Sequence, residues 1–92
     1  MLMGSPKQVP RVYTLPDCHR CEALKARLGE AGREFEEVSF DTDAHVGFIM
    51  RNVFGNPPIL EVGPRAFASE ELFVGEALDE GKLREAFDGE EA

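Results

Sequence analysis

The sequence predicts one mixed α/β domain with the element order β-α-β-α-β-β-α. Three observations predict it. Strand-like and helical runs alternate through the first two thirds of the chain, which calls for parallel strand pairing. A Gly63-Pro64 turn then joins two β-rich runs, which calls for an antiparallel edge. Finally, 92 residues with 42% hydrophobic and 30% charged side chains leave room for one core and do not suit a disordered chain. The domain is expected over residues 9–88, after a flexible tail at 1–8 and before an acidic tail at 89–92.

Arg11 to Leu15 is rich in β-formers and stops at Pro16, so it reads as the first strand. Cys21 to Ala31 reads as a helix closed by Gly32, with Cys21, Leu24, Leu28 and Ala31 on one face. Phe35, Val38 and Phe40 bracket a short second strand. Asp41-Thr42-Asp43 offers caps for a second helix. There Val46, Ile49, Met50 and Val53 recur at i, i+3, i+4 and i+7, the cleanest amphipathic signal in the chain. Gly55-Asn56-Pro57-Pro58 breaks that helix. Ile59 to Val62 reads as the third strand and Arg65 to Ala68 as its returning partner. Ser69 to Gly75 is open between loop, short helical turn and strand. Asp79 caps a last helix carrying Leu83, Ala86 and Phe87.

Charge narrows the function classes. Ten Lys and Arg against 18 Asp and Glu give a net charge of -8, so phosphate backbones and anionic lipid are poor partners. No apolar run approaches the roughly 20 residues of a membrane span. The opening Met1 to Pro6 resembles no secretory signal. A cytoplasmic monomer is expected. The acids crowd toward the C-terminal end, as a solvated helix and tail would place them, whereas residues 1–33 hold six bases against three acids and contain both cysteines.

Cys18 and Cys21 form a C-x-x-C between the first strand and the first helix. A structural zinc site needs about four ligands, and the other candidates are only His19 and His45. A covalent haem site needs His after the second cysteine, where Glu22 stands. A redox dithiol is the favoured reading for this spacing at a β-to-α junction. A metal or iron–sulfur module using the same thiolates, completed by a second chain, is the alternative. Cys18 falls at the helix cap or first position, where unpaired N–H groups and the helix dipole favour an anion. Cys21 lies one turn inside, on the apolar stripe. Cys18 is therefore expected as the attacking thiolate and Cys21 as the buried resolving thiol. His19 and Arg20 favour the thiolate as cations, while Asp17 opposes it or caps the helix. In the second segment, a cis bond before Pro58 is preferred to one before Pro57, since Pro58 inside the strand would lack a ladder donor.

The segment Tyr13-Thr14-Leu15-Pro16-Asp17-Cys18-His19-Arg20-Cys21, with Pro57-Pro58-Ile59-Leu60 downstream, resembles the glutaredoxins and their small thioredoxin-fold relatives. The resemblance spans about residues 9–88. It implies a thioredoxin-like fold, a four-stranded mixed sheet flanked by three helices, and a thiol–disulfide oxidoreductase. It further implies nucleophilic Cys18, resolving Cys21 and a cis Pro58 facing them, with Pro57, Arg20, His19 and Tyr13 as candidate substrate contacts. The expected partners are a disulfide-containing protein or a glutathione mixed disulfide. Glutathione as co-substrate, or a flavin disulfide reductase, would supply electrons, and no bound cofactor is expected. Three departures bear on glutathione. Leu15 stands where glutaredoxins usually carry Lys. Val74-Gly75-Glu76-Ala77 is a weak counterpart of their Gly-Gly segment. Pro57 has no N–H to offer a bound thiol compound.

Overall fold

The structure is a computed structural model that describes residues 9–88. The tails expected at 1–8 and 89–92 lie outside the described residues. The first strand, β1 (Arg11–Thr14), leads to α1 (His19–Glu30), β2 (Glu36–Ser39), α2 (Thr42–Met50), β3 (Ile59–Val62) and β4 (Arg65–Phe67). A four-residue helix α3 (Ser69–Leu72), a two-stranded hairpin β5 (Phe73–Val74) and β6 (Ala77–Leu78), and α4 (Glu80–Asp88) complete it. Among the described residues there are thus four helices, where three were expected. The extra one occupies the segment whose sequence left helix and strand open. Each element there is too short for periodicity to register, although both Leu72 and Phe73 are buried.

The sheet is mixed, in the order β2-β1-β3-β4. The β1–β2 pair is parallel, and β1–β3 and β3–β4 are antiparallel. Alternation along the strands sorts the core into two faces. Val12, Leu60, Val62 and Phe67 pack with Leu24 and Leu28 of α1, Leu72 of α3, and Leu83, Ala86 and Phe87 of α4. On the other face Ile59 and Ala68 pack with Phe48 of α2, flanked by Tyr13, Phe40, Val53 and Ala66. The layers are therefore helix, sheet, helix. No helix among the described residues is long and apolar enough to cross a membrane.

The two long helices obey their sequences differently. In α1 the expected stripe is buried at Cys21, Leu24 and Leu28, while Ala31 is exposed beyond the last turn. Its end is a Schellman motif: Gly32 has a φ of +73°, Gly32 N–H donates to Gly29 O (3.1 Å) and Arg33 N–H to Leu28 O (3.0 Å). In α2 the expected stripe faces water, with Val46 53%, Ile49 40% and Met50 80% exposed. Phe48, on the opposite side of the helix, is buried instead and meets Tyr13 edge-on at 4.8 Å. One aromatic ring buries more area than an aliphatic side chain, and its edge-to-face contact fixes the roll of the helix. Of the expected stripe only Val53, beyond the helix end, joins the core, with its N–H donating to Phe48 O (2.8 Å).

Candidate active site

The site lies at the C-terminal end of β1. From Thr14 the chain passes through exposed Leu15 and Pro16 to Asp17, whose φ is +55°, and enters α1 at Cys18. The helix cap is Cys18, and the capping role considered for Asp17 is not realised. Cys18 has extended backbone, and its sulfur accepts the Cys21 N–H at 3.1 Å. A sulfur thus does what Ser or Asp oxygens do at other caps, and an N–H and the positive helix end are aimed at it. The helix opens at His19 because this cap sits three residues earlier than the apolar periodicity starts.

Cys18 and Cys21 are joined as a disulfide, with Cα atoms 5.2 Å apart. One partner is half-buried at the helix mouth. The other is 1% exposed beneath the first turn. A shallow groove beside Cys18 is lined by Asp17, Cys18, His19 and Glu22. His19 therefore lies at the groove. Arg20 does not line it: its Nη2–H donates to the Gly75 carbonyl (2.7 Å), and its guanidinium carbon stands 5.3 Å from the Phe73 ring centroid. The motif's guanidinium fastens the β5–β6 hairpin to the first turn of α1.

The Pro57–Pro58 peptide bond is cis, and Pro58 is fully buried. Tyr13 pairs with Ile59 across antiparallel strands, so the cis dipeptide begins β3 beside the end of β1 from which the Cys18 loop departs. Two features unmarked in the sequence hold this segment. The Glu70 carboxylate accepts Asn56 N–H (3.0 Å) and Nδ2–H (2.7 Å), and these bonds, the backbone one foremost, hold its pKa below the usual carboxylate value. Asn56 O in turn accepts the N–H of buried Ser69 (3.1 Å). Gly55 has a φ of +146°, and a Cβ there would lie 2.5 Å from Ala68 Cβ. No spacing rule links residues 56 and 70; the Gly55 beside Asn-Pro-Pro was the one local signal.

Tyr13 belongs elsewhere. It points to the α2 face, where its hydroxyl donates to Glu61 (3.3 Å), and burial followed by the Glu61 charge raises its pKa. Glu61 also takes Arg11 (3.3 Å) and Arg51 (2.6 Å). On the α1 face Thr14 Oγ1–H and Lys25 both donate to Glu37 at 2.9 Å, and Lys25 first, then Thr14, lowers the Glu37 pKa. Among the described residues no cluster of three or more His, Cys, Asp and Glu is arranged to hold a metal.

No family model, curated protein or solved structure matches this chain.

Proposed function

We propose that the protein is a thiol–disulfide oxidoreductase of thioredoxin-like, glutaredoxin-like type. The observation that carries the reading is the Cys18–Cys21 pair, one sulfur at the helix mouth and one beneath it, with the cis Pro57–Pro58 segment beside the same strand end. The sheet order and the helix-sheet-helix layering support the same reading.

In the reduced protein the Cys18 thiolate, favoured by the Cys21 N–H and the helix end, attacks one sulfur of a substrate disulfide. A Cys18–substrate disulfide forms and the first substrate thiolate leaves. Cys21, deprotonated, then attacks Cys18 Sγ, closing the internal disulfide and releasing the second thiolate. Two electrons pass to the substrate, and the two protons of the dithiol end on its thiols. A low-molecular-weight thiol or a flavin disulfide reductase returns the pair to the dithiol. The depth difference supports this order, since an incoming disulfide reaches the half-buried sulfur before the buried one.

Cys18→Ser is expected to abolish reduction of a neutral small disulfide and of protein disulfides. Cys21→Ser is expected to leave the first attack intact and stop at a Cys18 adduct visible by mass. Full activity in both variants would overturn the two-role mechanism. Metal analysis of anaerobically purified protein, with a visible spectrum, separates this reading from a metal or iron–sulfur module. Stoichiometric metal on both thiolates, without dithiol turnover, would favour the module.

A further inference from the structure

Taking the oxidoreductase reading as its basis, we propose that the substrate is a polypeptide cystine flanked by apolar and cationic side chains, and that the β5–β6 hairpin is the wall that reads it. The first support is Arg20. Tied to Gly75 O at 2.7 Å and lying over Phe73, it stands the hairpin tip against the helix turn that begins at Cys18. Gly75, with φ +63°, opens the two-residue turn, and its neighbour Val74 is 71% exposed. Leu15, three residues before Cys18, is 45% exposed. Two large apolar side chains are thus exposed on the segments nearest the site, Leu15 on the loop leading into Cys18 and Val74 beside the hairpin residue that Arg20 holds, a surface suited to a polypeptide rather than to a small polar thiol.

Charge selects the kind of polypeptide. Around Cys18 the groove is lined by two carboxylates, Asp17 and Glu22, against the single imidazole of His19, and Glu76 is exposed at the hairpin tip. The two cations along this part of α1 are engaged. Arg20 holds Gly75, and Lys25 is shared between Glu22 (3.0 Å) and Glu37 (2.9 Å). Glutathione carries two carboxylates and one ammonium, so its net charge matches the mouth of the site in sign, and like charges slow encounter and weaken docking. A Lys or Arg beside a substrate cystine meets Asp17 and Glu22 as opposite charges. Arg20 is a positioning residue here: it acts on the substrate through the hairpin.

The test uses two disulfide-linked peptides of one length, one flanking its cystine with Val and Lys and the other with Ser and Glu. The neutral 2,2′-dithiodipyridine serves as a reference. Wild type is expected to reduce the first peptide about tenfold faster in kcat/KM at low salt, narrowing to about twofold near 0.5 M salt. Asp17→Asn should shrink the preference, and Val74→Asp should raise KM for the first peptide. Arg20→Gln should raise KM about fivefold with kcat kept, and Arg20→Lys should restore part of it, a split that loss of fold would not produce. Equal rates on both peptides, with dithiodipyridine reduced normally, would overturn this inference and leave the oxidoreductase reading standing. Failure to reduce dithiodipyridine from a titrated dithiol would overturn both. The peptide comparison needs no variant, so it stands even if a substitution unfolds the chain.

Discussion

The two faces of the sheet are held by different means. The α1–α4 face is a continuous apolar core in which Val12, Leu24, Leu28, Leu60, Leu72 and Ala86 are wholly buried. The α2 face buries a single helix side chain, Phe48, over Ile59 and Ala68, and surrounds it with polar clamps. Glu61 there gathers Arg11, Arg51 and Tyr13, and Glu70 grips Asn56 ahead of the cis Pro57–Pro58 bond. The division has a consequence for the site. Cys21 is rooted in the apolar face through α1, on the same buried stripe as Leu24 and Leu28. The proline segment buries Pro58 but is gripped just before it by a polar clamp, the Glu70 carboxylate on Asn56, so it has a titratable contact among its supports.

The largest test of this contrast pairs one residue from each long helix. Leu24→Ala, at zero exposure, is expected to lower unfolding free energy by about 2–5 kcal/mol, the range of buried Leu truncations. Met50→Ala, on the exposed stripe of α2, is expected to change it by less than about 0.5 kcal/mol. Urea unfolding with unchanged slopes measures both. A comparable loss at Met50 would mean that the outer face of α2 is covered in the folded protein.

The same pair shows how far the sequence could be read. The order of the main sheet elements, the caps at Asp41 and Asp79 and the buried stripes of α1 and α4 were legible because each rests on local spacing or a single side chain. The Cys18–Cys21 pair was legible for the same reason. Val46, Ile49 and Met50 form as regular a stripe as any in the chain, yet face solvent. Periodicity identifies a face of a helix and says nothing of what lies opposite it, and the choice fell to the Phe48–Tyr13 contact between two elements 35 residues apart. The turn of Arg20 toward Gly75 and the Glu70 grip on Asn56 were hidden likewise. Each joins segments whose approach exists only after folding.

Gly55→Ala probes the seam between the two kinds of packing at intermediate cost. Its backbone lies in a region side chains rarely adopt, and the added Cβ would overlap Ala68 Cβ at 2.5 Å and Glu70 Oε1 at 2.8 Å. A loss of about 1–3 kcal/mol is expected from strain and overlap together. Adding Ala68→Gly removes the overlap with residue 68 and leaves the Glu70 contact and the backbone strain, so the double variant should recover only part of the loss. Full recovery would mean that the backbone at residue 55 relaxes freely and that the proline segment is held by Glu70 alone.

Glu70→Gln is expected to have a small effect but the sharpest signature, because it carries a pH dependence that Leu24→Ala lacks. The Glu70 pKa is depressed in the folded protein, chiefly by the Asn56 N–H. A depressed carboxyl binds its proton less readily folded than unfolded, so its contribution is complete above the ordinary glutamate value of about 4.3 and declines as pH falls through the lower folded value. Glu70 is solvent-exposed, which screens the interaction, and a loss of about 1 kcal/mol or less at neutral pH is expected for Gln in its place. Unfolding free energies of both proteins, measured from neutral pH down into the acid range, should converge once Glu70 is protonated in both states. The gap left by Leu24→Ala should stay constant across the same range, since no titrating group is removed. A Glu70→Gln gap that persisted in acid would place the grip on Asn56 in the shape of the side chain and not in its charge, and the clamp before the proline segment would then be no more pH-sensitive than the apolar core.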